Sequence, residues 1–154
     1  MNKKIITIVS IFLLMFIFIG CNENKKEIKT TEEKILSKGE KFTFTENGKE
    51  EYWVKIDSAQ IENGELKVKY SYGNIDFKNK TVFIWGDDFK IKDNNNSILD
   101  STGSYWRDVK ELEPGENCTV ETSYHLDDTS INSITISLSS KTLKQTAVWK
   151  LNLK

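Results

Sequence analysis

The chain has 154 residues, a formal net charge of −1, 11% aromatic residues and a single proline. Those figures exclude a disordered chain, a collagen-like chain and anything much larger than one compact domain. Two cysteines exclude a disulfide scaffold, and one histidine excludes most histidine-ligated metal sites and histidine-based catalysis.

At the amino terminus, Met1-Asn2-Lys3-Lys4 precedes an uncharged run over residues 5–20 that only Thr7 and Ser10 interrupt. Two lysines before a short apolar run are the first two regions of an export signal. The run is shorter than the roughly 20 residues a spanning helix needs. It closes on Phe18-Ile19-Gly20-Cys21. This resembles the lipobox of bacterial lipoproteins, in which a small residue precedes the cysteine that is diacylated and becomes the new amino terminus. The resemblance implies that residues 1–20 are a signal peptide and that Cys21 carries the lipid, with palmitate-type acyl chains. It also implies that the mature protein is anchored to the extracellular face of the cell membrane. Two acyl chains hold a protein there where one does not.

After Cys21 comes NENKKEIKTTEEKILSKG, with Ile28, Ile35 and Leu36 as its only large apolar residues. Such a stretch cannot offset its ordering entropy. Residues 21–39 are therefore expected to be a lipidated cysteine and a flexible charged tether, with at most a helical turn near residues 32–36.

The basic residues are all lysine except Arg107. With neither a basic surplus nor arginines to grip phosphate, nucleic acid is excluded as a partner.

From residue 40 to residue 154 the hydrophobic period is two. Tyr52, Val54 and Ile56 alternate with Trp53, Lys55 and Asp57, and the apolar positions then shift to Ala59 and Ile61, which predicts a one-residue bulge near Ser58. Asn63-Gly64 is a hairpin signal leading into Leu66, Val68, Tyr70 and Tyr72. Residues 81–85 (TVFIW) form a continuous apolar run, which predicts a strand covered on both faces. Further alternation runs through Phe89 and Ile91, Cys118 to Leu126, Ile134 to Leu138, and Ala147 to Leu153. Seven to nine short strands with no useful amphipathic helix predict an all-β sandwich.

The segments VKIDSAQIENGELKVKYSY, FKIKDNNNSIL, LEPGENCTVETSYHL and ITISLSS together resemble the immunoglobulin-like lipoprotein domains of unknown function in Gram-positive bacteria. In those domains a Leu-x-Pro-Gly-Glu turn leads into an alternating strand, as Leu112 to Glu116 does here. The resemblance implies an immunoglobulin-like sandwich over residues 40–154. It brings no activity and no catalytic residues.

Candidate sites are few. Cys118 and His125 are seven residues apart on one expected strand, and an odd separation puts them on opposite faces, so no dyad forms. Residues 93–97 (DNNNS), with Asp87 and Asp100 nearby, invite a calcium reading. They lack the glycine and glutamate an EF-hand loop requires, and a solvated loop is the default. The aromatics lead further. Trp53 shares its face with Lys55 and Asp57, and Tyr105-Trp106 sits beside Arg107. Trp53, Tyr105, Trp106 and Arg107 are the candidate ligand-binding residues, suited to a sugar ring or a protein hot spot. Covering a sheet edge is the competing role for the same aromatics.

The expectation is a non-catalytic binding module at the cell envelope, with no cofactor. Its partners are the membrane, through lipid on Cys21, and an envelope or host protein or glycan. The alternative is an inhibitor or immunity-type protein that blocks a secreted enzyme or toxin.

Overall fold

Period-two alternation becomes strand along most of the chain. The computed structural model describes residues 34–78, 81–102 and 108–153. The expected signal peptide, Cys21 and most of the expected tether lie outside the described residues. Among those described are nine strands: β1 (Ile35–Leu36), β2 (Lys41–Glu46), β3 (Lys49–Glu62), β4 (Glu65–Asn74), β5 (Phe89–Asp93), β6 (Ile98–Leu99), β7 (Asn117–His125), β8 (Ser133–Ser140) and β9 (Gln145–Asn152). They form two sheets, ordered β2-β3-β4-β7 and β1-β9-β8-β5-β6. The protein is an all-β sandwich.

Local chemistry explains the hairpins. Asn63 and Gly64 both take positive φ (53° and 82°), the pair of conformations that lets a two-residue loop match strand twist. Asn47-Gly48 repeats the device between β2 and β3 (52° and 79°). The β3–β4 ladder slips by one residue between Ile56 and Ser58. The extra residue is Asp57, so the bulge lies where the hydrophobic phase changes.

Alternation then sends one face of each sheet inward. Val54, Ile56, Leu66, Val68, Tyr70 and Tyr72 from one sheet are buried with Ile91, Ile134, Ile136 and Trp149 from the other. Tyr70 meets Phe89 edge-on at 4.8 Å, and Phe44 stacks on Tyr52 at 4.5 Å. The core is rich in tyrosine, and three of its buried hydroxyls donate to carbonyls. Tyr70 donates to Ile84 (2.8 Å), Tyr72 to Lys110 (2.7 Å) and Tyr124 to Gly86 (2.7 Å). The Trp149 indole donates to the Glu40 carbonyl at 3.0 Å.

One buried polar side chain ties the Pro114-Gly115 turn to the end of β4. Asn74 Nδ2 donates to the Leu112 carbonyl (2.9 Å), and its Oδ1 accepts from the Phe77 amide (2.8 Å). Its own amide donates to Glu116 and its carbonyl accepts from Gly115. The Leu-x-Pro-Gly-Glu turn is thus docked on Asn74 before the chain enters β7.

Two expectations are corrected. Ile35 and Leu36, counted with the tether, are a strand pairing parallel to Val148 and Trp149 of β9, and Leu36 is buried. Two apolar residues suffice there because β9 already presents a paired ladder and a greasy slot. Residues 81–85 are not a doubly covered strand. They make one bridge, Val82 with Leu112, while Val82 and Ile84 point inward and Trp85 is exposed. The segment carries the chain from one sheet to the other, and the Tyr70 hydroxyl and the Leu112 amide satisfy its carbonyls in place of a neighbouring strand.

Candidate binding surface

The outward face of the four-stranded sheet holds Trp53. Alternation along β3 puts it opposite Tyr52 and Val54, and register sets it between Thr43 of β2 and Gly73 of β4. Its indole lies across Gly73, where a Cβ would fall only 2.6 Å from Cε2 and 2.8 Å from Cζ2. Gly73 is therefore the seat of the ring, and Trp53 is half-buried rather than free. Lys41 Nζ stands 5.5 Å from the ring centroid, within cation–π range.

One row along the same face is a polar chain. Lys55 Nζ meets Asp57 Oδ1 at 2.6 Å, the Ser71 hydroxyl donates to Asp57 Oδ2 at 2.5 Å, and Ser71 and Thr119 hydroxyls lie 2.8 Å apart. The bulge makes this possible by turning an unpaired residue, Asp57, toward its neighbours, as bulges beside functional surfaces do. The result is a flat indole bordered by Lys41 and by a row of ammonium, carboxylate and hydroxyl groups. Such a surface can stack and hydrogen-bond.

The other candidates fall elsewhere. Tyr105, Trp106 and Arg107 lie outside the described residues. Cys118 faces the core, its thiol donating to the Asp108 carbonyl at 3.1 Å. His125 is exposed on the opposite face, 3.3 Å from Asp127. The two belong to one unbroken ladder with β4, so they stay apart. Asp93 Oδ1 accepts from the amides of Asn95 and Ser97, both at 2.8 Å, closing a turn on itself. Among the described residues, no group of three or more histidine, cysteine or acidic side chains is placed to hold a metal.

Trp85 was missed. It is 37% exposed and packs edge-on against Phe83 at 4.8 Å. The pattern V-F-I-W could have been read as an alternation, with Val82 and Ile84 inward, but an unbroken apolar run masks that parity.

Sheet order and site together define a β-sandwich with a tryptophan seated on one outer face. No family model matches the chain, and no curated protein matches it. Two crystal structures share its architecture. The yjhA protein from Bacillus subtilis superposes with a TM-score of 0.55 at 12% identity, over 77% of this chain and 100% of that one. A candidate lipoprotein, ycdA, from Bacillus subtilis gives 0.50 at 12% identity over 67% of this chain, which spans 37% of ycdA. At such identity the likeness is one of fold. Among the described residues no helix is long and apolar enough to cross a membrane.

Proposed function

We propose that this chain is a lipoprotein anchored through Cys21 to the extracellular face of the membrane. Its sandwich would be an immunoglobulin-like, non-catalytic module that binds an envelope or host protein or glycan through the Trp53 face. The observation that carries the anchor is the uncharged run from Ile5 that closes on Gly20-Cys21, with charged sequence filling the interval to β1. The candidate lipoprotein ycdA, with a similar fold, lends it support.

The strand order supports the immunoglobulin-like assignment. β3, β4 and β7 take the places of strands A, B and E, and β5, β8 and β9 those of C, F and G. Binding draws support from Trp53 itself, an amphipathic ring held flat on a sheet face beside groups that hydrogen-bond. Aromatic anchors with polar surroundings dominate recognition energetics.

Capture from cell-surface extracts, with wild-type protein and Trp53→Ala in parallel, tests this. A single ligand retained by the wild type and lost by a folded Trp53→Ala variant is the expected result. Equal retention by both would remove Trp53 from the binding surface.

A further inference from the structure

The two outward faces of the sandwich differ in charge. On the four-stranded side and its adjoining loop, lysines have partners close by: Lys49 and Lys78 pair with Asp76, Lys55 with Asp57 and Lys67 with Glu62, while Lys41 stands 5.5 Å from the Trp53 ring and Lys69 has Glu121 as its cross-strand neighbour. On the five-stranded side, Lys92 of β5 and Lys150 of β9 flank Thr135 of β8 in a single cross-strand row, with Lys90 one row away. None of these three lysines pairs with a carboxylate of any described residue. No strand position on this outward face is acidic. In a chain of net charge −1, this concentration of uncompensated cations is not a reflection of composition.

The same face is edged by apolar side chains. Ile35 stands on β1 at one border, 51% exposed, and Ile98 on β6 at the other, 57% exposed. Ile98 lies directly across from Lys92, which places it on the outward side. Two of the four large exposed hydrophobic residues among those described thus bracket the lysines.

We propose that this face rests on an anionic lipid surface, with the three lysines against headgroup phosphates and the two isoleucines entering the interface. Strand spacing makes the cations a planar array, with Lys92 and Lys150 about 10 Å apart at the backbone and Lys90 and Lys92 about 7 Å apart. A plane of charge suits a plane of phosphates. A soluble polyanion would account for the lysines and leave the isoleucines idle, whereas an interface uses both. The position of β1 adds to this. It is the edge strand of this very sheet, and thirteen residues separate it from Cys21. A tether of that length reaches about 20 Å on average, so the sheet stays within reach of the bilayer. This last point rests on the lipoprotein reading; the charge and apolar pattern does not.

The test uses the full protein, purified from membranes with its native amino terminus and reconstituted into vesicles of phosphatidylglycerol or of phosphatidylcholine. Acetylation rates of Lys90, Lys92 and Lys150 are then read by mass spectrometry. Anionic vesicles should slow all three by at least about threefold relative to zwitterionic ones, while Lys55 and Lys67 are unchanged. High salt should abolish the difference. In the Lys90→Glu/Lys92→Glu variant, Lys150 should react equally in both vesicles. Equal rates for the wild type in both vesicles would overturn the proposal. So would protection by soluble poly(glycerol phosphate) without protection by anionic vesicles, which would assign the face to a polymer. The mass of the amino-terminal peptide from the same digest reports lipidation separately, so failure of the anchor and failure of the docking face are told apart.

Discussion

Trp53 and Gly73 are cross-strand partners whose fit excludes any side chain at residue 73: the indole occupies the space a Cβ would need. A glycine inside a strand weakens it, and a cross-strand aromatic restores the lost cover. Trp53 therefore stabilises β4 and offers a ring to solvent at once, and the two roles can be weighed by mutation.

Gly73→Ala should destabilise the domain by about 1–3 kcal/mol through overpacking. In a Trp53→Ala background the same change should be neutral or stabilising by up to about 1 kcal/mol, because alanine is the better strand residue once the ring is gone. Denaturant melts of the four proteins give the coupling directly. Additive losses would mean the ring does not sit on Gly73 in solution.

Trp53→Ala alone should cost about 2 kcal/mol, since only part of the ring is buried. Trp149→Ala should cost more, about 3–5 kcal/mol, because that indole is fully buried and hydrogen-bonded to Glu40. Equal losses would make Trp53 a core residue and leave little for binding.

Much of this was legible in the sequence. Asn63-Gly64, the phase shift at Asp57 and the inward side of Trp149 are all local signals, because a period of two is written in neighbouring residues. What was not legible depends on register. Gly73 announces nothing until β3 and β4 are aligned, and then it lies under Trp53. Ile35 and Leu36 are two apolar residues in a charged stretch, and only their partner β9, near the other end of the chain, makes them a strand. Asn74 reads as an ordinary turn residue, though it is buried and holds the turn before β7.

Asn74→Leu should therefore be severe. It keeps the branched shape and heavy-atom count but orphans the Leu112 carbonyl and the Phe77 amide, at about 2–4 kcal/mol in all. Thermal melts compared with Asn94→Leu, in an exposed turn, provide the check. A loss below about 0.5 kcal/mol would mean the turn is not anchored there.

Alkaline pH should unfold the protein through its tyrosines. Burial pushes Tyr72 up to about 12, and Tyr70 and Tyr124 are raised further, again mainly by burial. A raised folded-state value means stability is intact below the unfolded value near 10 and is lost as pH climbs above it. Each such tyrosine adds a slope of about 1.4 kcal/mol per pH unit in that window. Tyr70→Phe should remove one share of the slope in melts between roughly pH 10 and 12. An unchanged slope would place Tyr70 in contact with water.

Cys118 should resist maleimide in the native state and react at once in denaturant, because its thiol is buried and donates to Asp108. Rapid native labelling would show that β7 presents the other face.

As proposed above, lipid on Cys21 joins this sandwich to the membrane. The direct measurement is metabolic labelling with a fatty-acid probe, read alongside detergent partition, for wild type and Cys21→Ala. Labelled, detergent-partitioning wild type and unlabelled Cys21→Ala are the predicted results. Equal labelling of the two, or an unlabelled wild type, would rule out lipid on Cys21 as the anchor.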